Sequence, residues 1–244
     1  MSVTVFTVYN EKYSAYAEMW KYCINRAYPQ YQVIAKEVRS SYEYDANCLR
    51  FLEHPTIEGD VYICDIDMMT LKENPSLHEF HHNEMKASGL CYSNSPRNNT
   101  EPKSYERLCG LHYATQEWYA KTAVMRLKYK NMLDRGEVGR DFFDDEIMLK
   151  KICEESGLGI PPKTPLFKRH HGIHFGTIRH YKSLGPERLT AELRVRVKPE
   201  QAQQWVEIAD SVEYKRILKS IEDKTILWEF AFMDKFTRSW SKNQ

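Results

Sequence analysis

The sequence predicts an α/β protein with a mostly parallel central sheet flanked by helices, followed by a helical C-terminal extension. Three observations predict it. Strand-like and helix-like segments alternate over the first 64 residues in the order β-α-β-α-β, which favours parallel pairing through right-handed crossovers. The third of these strands, Val61 to Cys64, is a short apolar run of the kind buried within a sheet. From about Pro186 onward the pattern is helical and highly charged.

Each element has its own signal. Ser2 to Val8 alternates and is β-branched, a strand. Tyr13, Tyr16, Ala17, Trp20, Cys23, Ile24 and Ala27 recur at three- and four-residue steps, one apolar helical face ended by Tyr28-Pro29. Tyr31 to Val38 is a second strand and Tyr44 to Leu52 a second helix. Leu71 to His82 is polar and histidine-bearing, with Asn74-Pro75-Ser76 as a helix start. Gly89 to Ser93 and Arg107 to Tyr113 are further strands, separated by a turn-rich loop over Ser93 to Lys103. Thr115 to Leu133 and Asp144 to Cys153 are helices. Pro199 to Ile208 and Lys224 to Trp240 supply helices of the C-terminal third. The expected organisation is a catalytic domain over 1–185 and a helical extension over 186–244 packed on it.

The 244 residues suffice for a large core without disulfides. The net charge of +1 argues against a nucleic-acid binder. The six cysteines form no C-x-x-C pair, which argues against a zinc ribbon or a thioredoxin-like motif. Cys23, Cys64 and Cys153 lie in apolar runs and are expected to be buried. The start of the chain lacks signal-peptide character, and no apolar run approaches the ~20 residues that span a bilayer. The expected location is cytoplasmic. With no G-x-x-x-x-G-K-[ST] loop and no glycine-rich turn after the first strand, P-loop and dinucleotide-binding chemistry are disfavoured.

The chemistry concentrates at Asp65 and Asp67, which follow the strand Val61 to Cys64. Side chains at the carboxyl end of a parallel strand reach the edge where open α/β sheets bind ligands. Two nearby carboxylates repel unless a cation lies beside them, and hard oxygen ligands favour Mg²⁺ or Mn²⁺. Two later segments add candidates: the acids Asp144, Asp145 and Glu146 at a helix start, and His171-Gly172-Ile173-His174-Phe175-Gly176. An imidazole beside Asp65 and Asp67 favours Mn²⁺ over Mg²⁺ or Ca²⁺. His174 is the first choice and His171 the alternative. Acids at a helix start also serve as ordinary capping groups.

A D-x-D after the central strand, then the strand Leu108 to Tyr113, the acidic helix start and the late histidine resemble the GT-A class of glycosyltransferases. The likeness is to the group containing glycogenin and the bacterial lipopolysaccharide galactosyltransferases, and it covers roughly residues 2 to 180. Where that group carries Lys-Pro-Trp after the histidine, this chain has Thr177-Ile178-Arg179-His180. The resemblance implies a Rossmann-like GT-A fold and transfer of a sugar from a nucleoside diphosphate to a glycan or lipid-linked acceptor. A UDP-sugar is the favoured donor, with a GDP-sugar the alternative. It implies Asp145, then Asp144, as the carboxylate facing the sugar. It implies Tyr9 and Asn10, at the end of the first strand, against the nucleotide base. Arg39, after the second strand, is placed to reach base or phosphate, or is an ordinary exposed arginine. Lys168, Arg169 and Arg179, with Arg97 and Lys103 behind them, are candidates to neutralise the diphosphate.

Two other function classes compete: a nucleotidyltransferase or metal-dependent phosphohydrolase, which would also grip phosphate through a metal, and a non-catalytic protein with a degenerate GT-A fold. The C-terminal segment carries Trp228, Phe230, Phe232, Phe236 and Trp240 among basic residues. That composition suits peripheral membrane contact. The four-residue spacing of Trp228, Phe232 and Phe236 equally suits a packing stripe.

Overall fold

The computed structural model describes residues 2–39, 44–56, 58–97, 106–141, 143–162 and 171–241. Its strands are β1 (Val3–Asn10), β2 (Gln32–Val38), β3 (Asp60–Ile63), β4 (Met68–Thr70), β5 (Tyr92–Ser93), β6 (Pro96–Arg97), β7 (Arg107–Leu108), β8 (His112–Ala114) and β9 (Gly172–His174). Its helices are α1 (Ala17–Ala27), α2 (Asp45–Leu52), α3 (Leu77–Ser88), α4 (Gln116–Asp134), α5 (Asp144–Glu155), α6 (Gly176–Tyr181), α7 (Pro186–Arg196), α8 (Pro199–Asp210), α9 (Val212–Ser220) and α10 (Lys224–Ser241). The protein is mixed α/β. Its contacts divide the chain into two compact units at places other than residue 185. The first comprises Met1–Glu11, Gln30–Asp65 and Asn74–Arg169; the second comprises Lys12–Pro29, Ile66–Glu73 and His170–Gln244.

The first unit is built on a five-stranded sheet in the order β2-β1-β3-β8-β5. β1 is buried from Val3 to Tyr9 and pairs in parallel with β2 on one side and β3 on the other. The other two ladders, β3 with β8 and β8 with β5, are antiparallel. The sheet is therefore mixed rather than mostly parallel. The backbone around Cys109 gives the reason. Arg107 to Tyr113 is not one strand. The Cys109 N–H is shared between the Asn94 side chain (2.8 Å) and the Ser95 carbonyl (3.1 Å), and the Gly110 N–H goes to Glu146 (2.9 Å), so neither pairs within the main sheet. β7 then pairs with β6 in a separate two-stranded ribbon, and β8 enters the main sheet. β8 returns beside β5 through that ribbon instead of a crossover helix, which permits antiparallel pairing.

The core of this unit joins Phe6, Val8, Val61 and Ile63 of the sheet to Phe51, Trp118, Leu149 and Ile152 of α2, α4 and α5. α3 is fixed at both ends. Ser76 and Glu79 form a capping box, and Gly89 closes the helix in the left-handed conformation at φ 69°.

The second unit is mainly helical around the antiparallel pair β4 and β9. Trp205, Phe230, Phe175 and Tyr214 pack ring to ring in its core. On α10 the buried positions are Ile226, Glu229, Phe230, Met233, Phe236 and Thr237. The expected stripe is thus displaced: Phe236 is inside, but Trp228 is exposed, with the Lys182 ammonium 4.7 Å from its ring centre. Among the described residues, no helix is long and apolar enough to cross a membrane. The expected burial holds for Cys23, Cys64 and Cys153.

Candidate functional site

Asp65 ends the contiguous stretch Gln30–Asp65 of the first unit, and Ile66 opens a stretch of the second, so the two acids of the motif belong to different units. In the second unit, strand pairing gives Asp67 its neighbour. Met68 lies opposite His174 in the ladder of β4 and β9, and the Phe175 N–H donates to the Asp67 carbonyl at 2.9 Å. The His174 imidazole consequently meets the Asp67 carboxylate, Nε2 to Oδ1, at 3.2 Å. Gly176 permits this approach: a Cβ there would lie 2.8 Å from His174 Nε2 and 3.2 Å from Asp67 Oδ2.

α6 adds Arg179 less than one turn from its start. Its guanidinium bonds the other Asp67 oxygen, donates to the Tyr16 hydroxyl at 2.7 Å and lies 3.5 Å from Glu229. Tyr16 in turn donates to Glu229. Burial alone would raise the Asp67 pKa, but His174 and Arg179 outweigh it and hold the carboxyl well below the usual range. For Glu229 burial wins, and its pKa is raised. His171, the alternative ligand, goes elsewhere: its Nδ1 is 2.7 Å from Glu73, and the residue is 1% exposed. The structure brings His174, not His171, to the motif.

In the first unit, Asp65 is joined by an arginine that the sequence reading passed over. Arg50 of α2 is buried, with Nη1 on Asp65 and Nη2 on Asp145 at 2.8 Å. Burial would lower the Arg50 pKa, but the two carboxylates raise it. Asp145 at the start of α5 is pushed up to about 6: burial outweighs Arg50, and Glu146 adds to the rise. The only local signal for Arg50 was a charge within the otherwise apolar Leu49 to Leu52.

The acidic triplet divides its work. Asp144 accepts from the Arg140 and Asp141 N–H groups at 2.7 and 3.0 Å, which holds the turn that leads into α5 rather than capping the helix. Asp145 takes Arg50. Glu146 takes Arg107 at 2.5 Å, Arg97 at 3.0 Å and the Gly110 N–H. Arg97 is therefore engaged by Glu146 and the Cys109 sulfur, and as a diphosphate candidate it would have to leave them. Lys103, Lys168 and Arg169 lie outside the described residues.

The nucleotide-base candidates differ from one another. Tyr9 is only 8% exposed, which leaves little of its ring open to stack on a base. Asn10 is half-buried at the end of β1, and Arg39 is exposed directly after β2.

No protein-family model, no curated protein and no solved structure matches the chain.

Proposed function

We propose that the chain is a metal-dependent glycosyltransferase of GT-A type. It would move a sugar from a nucleoside diphosphate, UDP favoured, to a glycan or lipid-linked hydroxyl. The observation that carries the reading is the meeting of Asp67 with His174. Residues far apart in sequence converge to offer a carboxylate and an imidazole. That donor set fits Mn²⁺, with Mg²⁺ the harder alternative. Asp67 and His174 would hold the ion, and the D-x-D spacing makes Asp65 the third candidate. When bound, the ion supplies Lewis-acid stabilisation of the departing diphosphate.

The chain's own side chains support the same reading. Arg179, which now answers Asp67, carries a guanidinium fork of the kind that binds phosphate oxygens. Asp145, raised to about 6, holds its proton more firmly than an ordinary carboxylate and suits hydrogen bonding to a sugar hydroxyl or proton transfer from one.

The test is thermal unfolding of the full chain with Mn²⁺ and a panel of nucleoside diphosphates and their sugars, followed by product analysis. A site-bound ligand stabilises the fold by mass action. The reading expects a metal-dependent shift with one base, and nucleoside diphosphate with free sugar or glycoside as products. No shift with any nucleotide overturns it. Release of pyrophosphate or inorganic phosphate moves the assignment to nucleotidyl transfer or phosphohydrolysis.

A further inference from the structure

A second cluster of metal-ligating side chains lies wholly within the first unit and takes no part in the proposed transfer. His78 and His82 are one turn apart on α3, with ring centres 4.1 Å apart. Asp60 opens β3 and is buried; its Oδ2 is 2.7 Å from His82 Nε2 and accepts from the Tyr113 hydroxyl at 3.0 Å. That hydroxyl lies 2.7 Å from His78 Nδ1. Ligand atoms of Asp60, His78 and His82 all lie within 4.8 Å of one another.

We propose that Asp60, His78 and His82 form a binding site for a divalent transition metal of the zinc type. Two imidazoles and one carboxylate are the donor set of open zinc sites, whereas Mg²⁺ and Ca²⁺ prefer oxygen ligands. A tetrahedral ion with bonds near 2.1 Å holds its ligands about 3.4 Å apart. The His82–Asp60 pair is already closer than that, and the remaining gap is within reach of side-chain rotation. The scaffold is firm: the capping box and Gly89 fix α3, and Asp60 is held in the β3 register opposite Val3. Spacing of i, i+4 puts both imidazoles on one helical face.

The cluster is also accessible. Asp60 and His82 line a cleft of about 520 Å³, together with Lys86, Thr115, Gln116 and Glu117. Three protein ligands and an open side leave a coordination position for water or an anionic small molecule. Lys86 supplies a positive charge at that cleft.

The test uses the untagged full chain, with Co²⁺ alone as a spectroscopic probe and Zn²⁺ in competition. The wild type is expected to develop the visible bands of low-coordinate Co²⁺, with one equivalent belonging to this site, and to lose them on adding Zn²⁺. H82Q and H78Q, both partly exposed positions, should weaken Co²⁺ binding by about tenfold or more. D67N removes a carboxylate ligand of the site proposed for sugar transfer, so the one equivalent of Co²⁺ expected to remain in that variant reports the Asp60–His78–His82 site alone. Should the histidine variants misfold, X-ray absorption of Zn²⁺-loaded D67N decides the question: outer-shell scattering from two imidazoles supports the site, and none overturns it. Absence of Co²⁺ bands in the wild type overturns the proposal. So does a loss of all Co²⁺ binding in D67N, or binding in the D67N background that survives both H78Q and H82Q in folded protein.

Discussion

Asp65 and Asp67 are separated by one residue, yet the protein treats them differently. Each meets an arginine within its own unit. Arg50, at Asp65, has a side chain 4% exposed and divides itself between two acids. Arg179, at Asp67, is 30% exposed and shares its carboxylate with an imidazole. The first arginine is committed: removing it would strand Asp145 in the interior. The proposed function requires the second to be exchangeable: a cation would replace its charge at Asp67 while solvent receives the guanidinium. The two arginines thus differ in burial and in partners: Arg50 joins two acids, whereas Arg179 reaches Asp67, Tyr16 and Glu229.

The largest expected effect is at Arg50. Arg50→Met should destabilise the protein by about 3–5 kcal/mol, the usual cost of leaving a buried charge without its partner. Urea unfolding measures it, and a loss below about 1 kcal/mol would erase the contrast with Arg179. Next comes the pH dependence of Asp145. Its folded pKa of about 6 lies above its ordinary 3.8, so the folded state holds this proton more tightly than the unfolded state. The stability it contributes is full below pH about 4 and is lost as pH rises through 6, by up to about 3 kcal/mol. Asp145→Asn should remove that slope from the unfolding free energy, and an unchanged slope would assign it to another group.

Asp67→Asn should keep the fold but abolish Mn²⁺-dependent stabilisation by a nucleoside diphosphate. At a hundredfold excess of ligand over its Kd, that stabilisation is about 2.7 kcal/mol. Wild-type turnover by this variant at low metal would remove Asp67 from the site. The smallest effect sharpens the comparison most. If Arg179 competes with a cation for Asp67, Arg179→Gln should bind Mn²⁺ alone about tenfold more tightly, ~1.4 kcal/mol, and bind a nucleoside diphosphate more weakly. Calorimetric titration reads both. Unchanged metal affinity would make Arg179 as structural as Arg50.

Local patterns carried far into this protein. The three-four spacing of Tyr16, Trp20, Cys23 and Ile24 marked the buried face of α1, and all four are buried. Asn74-Pro75-Ser76 marked the start of α3, where Ser76 is the cap. The β-α-β-α-β order anticipated both parallel ladders of β1. Arg107 to Tyr113 misled because its period is that of a strand, whereas the backbone N–H groups of Cys109 and Gly110 find side-chain acceptors more than ten residues away. The stripe of Trp228, Phe232 and Phe236 held at Phe236 but not at Trp228, which is exposed. Every fourth residue drifts around a helix of 3.6 per turn, and the face that α10 buries is the one through Ile226, Phe230, Met233 and Thr237.

The sequence alone marked candidate acids and histidines and the elements that carry them, though not Arg50. Apolar period, caps and chain order are short-range properties, and the hydrophobic and backbone terms that enforce them act within a few residues. Only the tertiary structure decided which candidates meet. His174 rather than His171 reached Asp67 because the β4–β9 register sets it opposite Met68. Asp145 rather than Asp144 was left for Arg50 because Asp144 was consumed by two backbone N–H groups. His78 and His82 acquired Asp60 through the packing of one unit. Such encounters depend on the geometric sum of many long-range contacts, and no periodicity in the chain records that sum.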